Sequence, residues 1–255
     1  MALPTTDGLG HAIEAVADAL DMVSLAVRQH ADLLRRDPRA LQPALEILLA
    51  TVDTLRSKVV VTGIGKSFLI GKKLAATLTS VGTHAISLHA TEALHGDMGI
   101  IGPGDCVLAL SYSGETEEVV RLVSILRAMQ RRQMSSVRLI GMGRSRHTPL
   151  GELCDAWIGC PVGAELSRDV CAPTVSSSLM LAIGDAIAIM LMNHRRFDST
   201  DFARNHPGGH LGRASRRISQ PQLQQLSTPP LSTFGCGDDD DDDYDDDDDC
   251  CPMRE

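Results

Sequence analysis

A glycine-containing segment, Gly63-Ile64-Gly65-Lys66-Ser67, follows a β-branched run and has residue types that bind phosphate groups. It satisfies neither the P-loop nor the dinucleotide-binding fingerprint, because Val60 and Phe68 stand where these need glycine or another small residue. Its backbone amides and the Ser67 hydroxyl nevertheless suit an anion at a helix N-terminus. A cation there opposes the helix dipole, so we interpret Lys66 as aimed at a bound anion or a polarised oxygen rather than as a surface lysine.

A second segment of this kind is Ser111-Tyr112-Ser113-Gly114-Glu115-Thr116, again between an apolar run and a helical pattern. Its hydroxyls, on Ser111, Ser113 and Thr116, and its glycine, Gly114, can bind a phosphate monoester without a metal. An ordinary helix N-cap needs only one hydroxyl. Because two strand ends share this design, we predict a phosphate site formed by both.

Four further side chains are candidates for acid–base chemistry. His89 and His95 follow the second apolar run, Glu165 lies in a polar loop before Ala172-Pro173-Thr174, and His206 lies in a glycine-rich segment. Imidazole and carboxylate groups transfer protons near neutral pH when their surroundings adjust their pKa values. Each residue taken singly is more often structural, and the glycines around His206 favour a functional role for it.

The elements that position these residues alternate between short apolar runs and helical patterns. The candidate strands are Val59–Thr62, Ala85–Leu88, Cys106–Leu110, Val137–Gly141 and Ala156–Gly159. The candidate helices are Ser67–Val81, Thr91–His95, Glu115–Arg131, a turn at Thr148–Cys154, and Thr174–His194. This alternation predicts an α/β fold, a doubly wound five-stranded parallel sheet flanked by helices, which binds ligands at the carboxyl ends of its strands.

Two amphipathic helices are predicted before the first strand, as a helical hairpin over residues 1–57. Apolar residues recur at spacings of three and four in each; they are Ile13, Val16, Leu20, Val23 and Val27, then Leu41, Leu45, Leu48, Val52 and Leu55. Asp37-Pro38 is expected to begin the second helix. The favoured interpretation packs both stripes on the protein's own core, and the alternative packs them against another subunit.

The charge of the chain is unevenly distributed. The formal net charge is −9, but eleven aspartates lie in 238–249, and residues 1–212 carry 20 basic and 21 acidic side chains. We expect residues 214–255, which are rich in Ser, Gln, Pro and Asp, to be a disordered tail, because like charges at that density oppose compaction. A calcium-binding or partner-binding tail is the alternative.

Composition argues against several classes of protein. A nearly neutral body lacks the basic surface of a nucleic-acid-binding protein. The longest apolar stretch, Leu179–Met192, is short for a bilayer and is interrupted by Gly184 and Asp185, so no membrane association is expected. Seven cysteines without a CxxC pair or a signal peptide indicate reduced thiols in a cytoplasmic protein.

Taken together in chain order, the motifs resemble the sugar isomerase (SIS) domain of the D-arabinose 5-phosphate isomerase family. They are Gly63–Ser67, His95-Gly-Asp97, Ser111–Thr116, Ala172-Pro-Thr174 with Ser176–Ser178, and His206-Pro-Gly-Gly209 with Leu211-Gly212. The resemblance covers about residues 10–213 and implies an SIS phosphosugar-isomerase domain at 58–213, against which the N-terminal hairpin of 1–57 packs as an integral part. It also implies interconversion of D-arabinose 5-phosphate and D-ribulose 5-phosphate through a cis-enediol.

The resemblance assigns roles to particular residues. The implied catalytic residues are Lys66, His95, Glu118, Glu165 and His206. The implied substrate-binding residues are Ser67, Gly82, Thr83, His89, Ser111, Ser113, Gly114, Thr116 and Thr174. Glu165 would shuttle the proton, His206 would assist opening of the furanose, and Lys66 and His95 would orient the sugar oxygens with support from Glu118. No cofactor and no required metal are implied, and His89 is a weak metal-ligand candidate.

The resemblance also implies an oligomeric assembly, and the sequence departs from the family pattern at a few positions. Proteins of this fold usually form tetramers with shared sites, so a homotetramer is expected. Phe68 and His210 replace small residues near the proposed pocket, and only 42 residues follow Arg213, so no CBS domains are expected.

Two other functions stay open. One is a sugar-phosphate sensor, which usually carries a DNA-binding unit, and the other is an isomerase acting on another phosphosugar.

Overall fold

Five short strands form one parallel sheet in the structure, a computed structural model that describes residues 6–132, 136–167 and 169–208. The strands are β1 (Val59–Gly63), β2 (Ala85–His89), β3 (Cys106–Leu110), β4 (Arg138–Gly143) and β5 (Ala156–Gly159). Their spatial order is β2-β1-β3-β4-β5. The predicted α/β class and the doubly wound parallel sheet are confirmed, and β3 and β5 have the predicted bounds.

Helices cover both faces of this sheet. They are α1 (Thr6–Arg36), α2 (Gln42–Asp53), α3 (Gly65–Ser80), α4 (Ala90–Leu94), α5 (Glu117–Arg131), α6 (Pro149–Leu153), α7 (Val175–His194) and α8 (Ser199–Asn205). Short 3-10 helices span Pro38–Ala40 and Asp97–Ile100. The apolar side chains of α2, α3 and α7 pack on one face, and those of α4, α5 and α6 pack on the other. Burial on both faces explains why β3 is a continuous apolar run and β1 nearly one, whereas the edge strand β2 is only half-buried and includes polar residues.

The order of the strands reverses direction at β1. The chain passes from β1 outward to β2 and then returns to place β3 on the other side of β1. Such a switch point opens a crevice at the carboxyl ends of the two central strands. The glycine segment that begins at Gly63 and the one that begins at Ser111 both start at this crevice, which is where the sequence predicted a ligand.

The two predicted N-terminal helices are present, but their apolar stripes differ in packing. In α2, Leu48 is buried in the core. In α1, the C-terminal half packs on α7, whereas Val16 and Leu20 are 61% and 66% exposed. Among the described residues nothing covers this part of the first stripe, so the favoured interpretation holds for α2 and not for this half of α1.

The boundary between α1 and α2 also differs from the prediction. Asp37 precedes the 3-10 helix that starts at Pro38, and its side chain makes no capping hydrogen bond. The residue before α2 is Leu41, and Pro43 occupies the first turn of that helix. The prediction that Asp37-Pro38 begins α2 is therefore wrong. The helix begins at Gln42, with Pro43 in its first turn, where proline is favourable.

Helix α7 is longer than the apolar run that the sequence highlighted. It has 20 residues, and by length and composition it is the one helix of the described chain that is apolar enough to cross a membrane. Half of that stretch is buried inside the protein, and a buried core helix of any protein passes the same test. The finding is weak evidence for a span.

The chain divides into the units Met1–Ser219 and Gln220–Glu255. Everything described here belongs to the first unit. The predicted boundary at 213/214, the expected disordered tail and the departure at His210 all lie outside the described residues.

Candidate functional site

The carboxyl ends of three neighbouring strands meet at the candidate site. Gly63 at the end of β1 is paired with His89 of β2 on one side and with Leu110 of β3 on the other. Parallel strands lie about 4.8 Å apart, so the segments that follow these residues start within one small area. Those segments contain Lys66, His95 and the hydroxyl-rich turn.

The first glycine turn is tight because of Gly63. A Cβ at this position would lie 3.1 Å from the carbonyl oxygen of Leu110 and 3.1 Å from the amide nitrogen of Phe68, which is closer than side chains normally approach backbone. The chain then enters α3 through Gly65, whose φ of 56° suits glycine. Lys66 is the second residue of α3 and is exposed, so its ammonium group is accessible at this helix N-terminus.

The second turn is held by its own hydroxyl groups. The Ser111 and Thr116 hydroxyls are 2.9 Å apart and hydrogen-bonded, and the Ser111 Oγ accepts a bond from the amide of Gly114. Gly114 has a φ of 72°, and a Cβ there would overlap Thr148. Ser113 is exposed, and its Oγ accepts a 3.2 Å bond from the amide of Glu115.

Helix α5 begins two residues later than predicted, at Glu117 rather than Glu115. Thr116 precedes the helix and makes no side-chain capping bond. The Ser111 and Thr116 hydroxyls therefore stabilise the turn itself, and because Ser111 is buried, Ser113 is the exposed serine of this segment. Glu118 is half-buried in the first turn of α5, directly after the hydroxyl-rich segment.

Glu165 is bound to the start of α7 by four hydrogen bonds. The amide of Thr174 (2.8 Å), the hydroxyl of Thr174 (2.9 Å) and the amide of Ser176 (3.3 Å) donate to Oε2, and the Ser176 hydroxyl donates to Oε1. Burial acts to raise the pKa of Glu165, but these hydrogen bonds outweigh it and hold the pKa below the usual glutamate value. The carboxylate is therefore ionised at neutral pH, and it accepts three hydrogen bonds on Oε2 and one on Oε1.

Tyr112 connects Glu165 with the end of β3. Burial raises the pKa of Tyr112, a hydrogen bond with the backbone of Val162 lowers it, and the negative charge of Glu165 raises it further. The phenol is therefore within electrostatic reach of the carboxylate. This places Glu165 and Thr174 on the same side of the sheet edge as the segment Ser111–Thr116, which we call the Ser111 turn.

The two histidines after β2 have different surroundings. The ring of His89 packs edge-on against Phe68, with ring centroids 4.7 Å apart, so the departure at Phe68 directly affects this candidate residue. The buried Nδ1 of His89 has no hydrogen-bond partner within the described part of the chain. His95 directly follows α4 and is exposed, and after it comes Gly96 with a φ of 131°.

His206 and Gly82 line a different space from the other candidates. A cavity of about 1180 Å³ lies beside the edge strand β2, between α3 and α8, and contains both residues. Lys66, Glu118 and Glu165 do not line it. Thr83 comes next to Gly82 and before β2, and its buried hydroxyl has no partner among the residues that the structure describes. A single chain thus brings most of the predicted residues to one sheet edge and leaves His206, Gly82 and Thr83 apart from them.

The imidazole of His206 is held in a fixed orientation. It stacks on the ring of Phe202, with centroids 3.9 Å apart and an angle of 19° between the planes. Its Nδ1 lies 2.9 Å from the carbonyl oxygen of Phe202. Because a carbonyl only accepts hydrogen bonds, Nδ1 carries the proton and Nε2 is the unprotonated nitrogen of the neutral ring.

Sequence reasoning missed the helix that positions His206. Helix α8 starts with a capping box, in which the side chains of Asp198 and Asp201 bond each other's backbone amides. The Asp-x-x-Asp spacing is a recognisable start signal, although the helix that it begins is only seven residues long. Among the described residues no group of three or more histidines, cysteines or acids is arranged to hold a metal ion.

Comparison with known proteins gives a family match and several relatives. The family model described as "SIS domain" matches residues 55–190. Arabinose 5-phosphate isomerase KdsD of Pseudomonas aeruginosa is 44% identical over 170 residues, covering 67% of this chain and 49% of that protein. Arabinose 5-phosphate isomerase KpsF of Escherichia coli is 39% identical over 166 residues, covering 65% and 49%. The chain thus spans about half the length of these curated relatives.

A solved structure supports the same relationship over a larger share of the chain. A protein of Escherichia coli CFT073, determined in complex with arabinose 5-phosphate, is 33% identical and superposes with a TM-score of 0.69. The match covers 80% of this chain and 100% of that one.

Proposed function

The chain belongs to the SIS domain family, and we propose that it is an isomerase that interconverts D-arabinose 5-phosphate and D-ribulose 5-phosphate. The observation that carries the proposal is the pair of turns at the switch point, where Lys66 and the Ser111 turn start from neighbouring strands. The names of the curated relatives and the sugar-phosphate complex of a structural neighbour support this substrate. The catalytic unit is residues 58–213 together with the helices of 1–57.

The phosphate group is bound by the Ser111 turn. Ser113 presents an exposed hydroxyl, and the amides at the start of α5 lie beside it. A helix N-terminus with hydroxyl donors stabilises a phosphate dianion without a metal. Ser67, in the first turn of α3 after the neighbouring strand β1, supplies a further hydroxyl. Thr174, which is bonded to Glu165, would lie near the end of the sugar away from the phosphate.

Isomerisation moves one proton from C2 to C1. Glu165 accepts the C2 proton of the open-chain aldose, the electrons form the C1–C2 double bond, and the C1 carbonyl oxygen gains negative charge. The resulting cis-enediol receives the proton back at C1, while the O2 proton passes to O1. Lys66 stabilises the charge on the oxygens and His95 orients them, with Glu118 supporting one of these groups.

The hydrogen bonds of Glu165 are compatible with this role. Three of its four donors bond Oε2, and Oε1 accepts from the Ser176 hydroxyl alone, so Oε1 keeps a lone pair for the C2 proton. The backbone amides of Thr174 and Ser176 keep the carboxylate oriented. The low pKa keeps the group deprotonated before substrate binds.

His206 assists opening of the furanose from a neighbouring subunit. Its unprotonated Nε2 can accept the proton of the anomeric hydroxyl, as ring opening requires. Because His206 and Gly82 line a cavity apart from Lys66, a complete site needs a second chain. We propose a homotetramer in which the exposed stripe of α1 packs against another copy, and a cytoplasmic location.

Incubation of the purified chain with arabinose 5-phosphate, without added metal or nucleotide, tests the proposal. The expected result is ribulose 5-phosphate, measured as the ketose formed over time. Tight binding without product would favour a sugar-phosphate sensor. Product from a hexose phosphate and none from the pentose would favour an isomerase of another phosphosugar.

A further inference from the structure

A second cavity, of about 290 Å³, lies at the opposite edge of the sheet from β2. We call it the edge cavity; its wall includes His30 of α1, Arg39 of the first 3-10 helix, Arg146 of the loop after β4, and Trp157 of β5. Strands β3 and β4 lie between β5 and β1. No residue of the two glycine turns lines the edge cavity, although the loop that carries Arg146 is bonded to the turn after β3, since the amide of Arg144 donates to the carbonyl of Tyr112.

Two buried polar side chains of the edge cavity have no partner. His30 and Trp157 are each 7% exposed. Neither ring nitrogen of His30, nor the Nε1 of Trp157, has a hydrogen-bond partner within the described part of the chain. A buried polar group without a partner has an energetic cost. A ligand with acceptor atoms would recover part of this cost.

The charge of the edge cavity is positive. Arg39 and Arg146 are exposed at its rim, and neither guanidinium is paired with an acid of the described ranges. The indole Nε1 of Trp157 only donates. Burial lowers the pKa of His30, so this ring is neutral at pH 7 and offers one donor and one acceptor. Donors and positive charge thus exceed acceptors, which is the composition of an anion site.

An apolar space continues from the edge cavity beneath α1. A neighbouring cavity of about 220 Å³ shares His30, Leu34 and Leu41 with it and reaches the face of α7. Apart from His30, its lining side chains are all apolar. A ligand that occupied both spaces would need a charged group at one end and a short hydrocarbon portion at the other.

We propose that the edge cavity binds a small amphiphilic anion. Its acidic group is held by Arg39 and Arg146 at the rim, next to Trp157, and its hydrocarbon portion lies along Leu34 and Leu41 towards α7. Binding in this position joins α1, β5 and the loop after β4, and so it stabilises the packing of the C-terminal half of α1.

The chain contains a built-in probe for this site, because Trp157 is the single tryptophan among its 255 residues. Fluorescence of the full chain is followed while hexanoate is added at constant ionic strength, with 1-hexanol as the uncharged counterpart. The expected result is a saturable change in Trp157 emission with hexanoate and no saturable change with 1-hexanol. A change that rises linearly with hexanoate, or equal responses to both compounds, would overturn the proposal.

Variants of the arginines locate the binding. The double variant Arg39→Ala/Arg146→Ala removes two exposed charges and is expected to weaken hexanoate binding at least about tenfold. Arg131→Ala, an exposed arginine at the end of α5 outside the edge cavity, is the matched control and should bind within about twofold of the unaltered chain. An unchanged dissociation constant in the double variant would contradict the assignment, and its circular dichroism confirms that it is folded.

Discussion

Glu165 has the most constrained side chain of the candidate site. Four donors from Thr174 and Ser176 fix its carboxylate at the start of α7, and the same bonds keep it ionised. Glu118, by contrast, lies in the first turn of α5. Two carboxylates with such different surroundings are suited to different roles, and we propose that Glu165 moves the proton while Glu118 supports a neighbouring group.

Replacement of Glu165 tests this division. Glu165→Gln should lower kcat for arabinose 5-phosphate by about 10²–10³-fold, because general-base catalysis typically contributes that much. It should also stop exchange of the C2 proton with solvent. Glu117→Gln, an exposed acid in the same segment as Glu118, is the control and should keep normal kcat. Normal turnover and normal exchange in Glu165→Gln would remove this residue from the proton-transfer step.

The lowered pKa of Glu165 also predicts a pH dependence of stability. Its ionised form favours the folded protein, so its contribution is fully present above the unfolded pKa, near 4.5, and is lost as pH falls through the lower folded pKa. The destabilisation caused by Glu165→Gln should therefore be largest near pH 7 and should shrink below about pH 4.5. Urea unfolding over a pH series measures this. An equal destabilisation at pH 7 and in acid would argue against an ionised, hydrogen-bonded carboxylate.

Among the secondary-structure elements, α1 shows most clearly what the sequence could and could not predict. Its periodic apolar residues predicted a helix correctly, because periodicity is a local property. Periodicity does not say what covers a stripe, so the exposure of Val16 and Leu20 required the structure. Helix α8 was missed for the opposite reason, since seven residues are too few for a periodic pattern and only the Asp198 capping signal remained.

The central strands β1 and β3 were predictable because they are buried on both faces. Cys106–Leu110 is fully buried, and a continuous apolar run between two turns has few other interpretations. The site was predictable to the extent that its residues follow strand ends, as Lys66 and Ser111 do. The position of His206 was not, because it depends on where α8 lies relative to α3 across the cavity beside β2, a long-range arrangement without a local signal.

Charge on the α1 stripe should disrupt assembly. The double variant Val16→Asp/Leu20→Asp places two carboxylates on the exposed stripe, where a second chain is proposed to pack, and burying unpaired charges is costly. Light scattering should then show a smaller particle than for the unaltered chain. Asp21→Asn, which alters a polar residue of the same helix, should leave the mass unchanged. Equal masses for all three proteins would argue against this stripe as the interface.

At the scale of the whole molecule, we propose that two chains cooperate in forming one site. Lys66 lies at the carboxyl edge of the sheet, and His206 lines the cavity beside β2. The body of the chain is nearly neutral, with 20 basic and 21 acidic residues in 1–212, so we propose that the phosphosugar is bound by local donors rather than by overall charge. A second chain that supplies His206 would complete the site without adding net charge.

Mixing of inactive variants tests the shared site. Lys66→Ala and His206→Ala should each lack activity, because each removes one group from every site. After joint unfolding and refolding of equal amounts, about one site in four should combine an intact Lys66 with an intact His206 from different chains. Activity should then return to about a quarter of the unaltered level. No recovery from a mixture that reassembles would show that each chain forms its own site.

The central claim is that this chain moves a proton between C1 and C2 of a pentose phosphate. The most direct measurement is nuclear magnetic resonance of arabinose 5-phosphate incubated with the chain in deuterium oxide. We predict ribulose 5-phosphate that carries deuterium at C1. The proton that Glu165 takes from C2 exchanges with solvent while the cis-enediol intermediate is present, so Glu165 returns a deuteron to C1. Arabinose 5-phosphate that binds but keeps its C2 proton and yields no ketose would contradict the account.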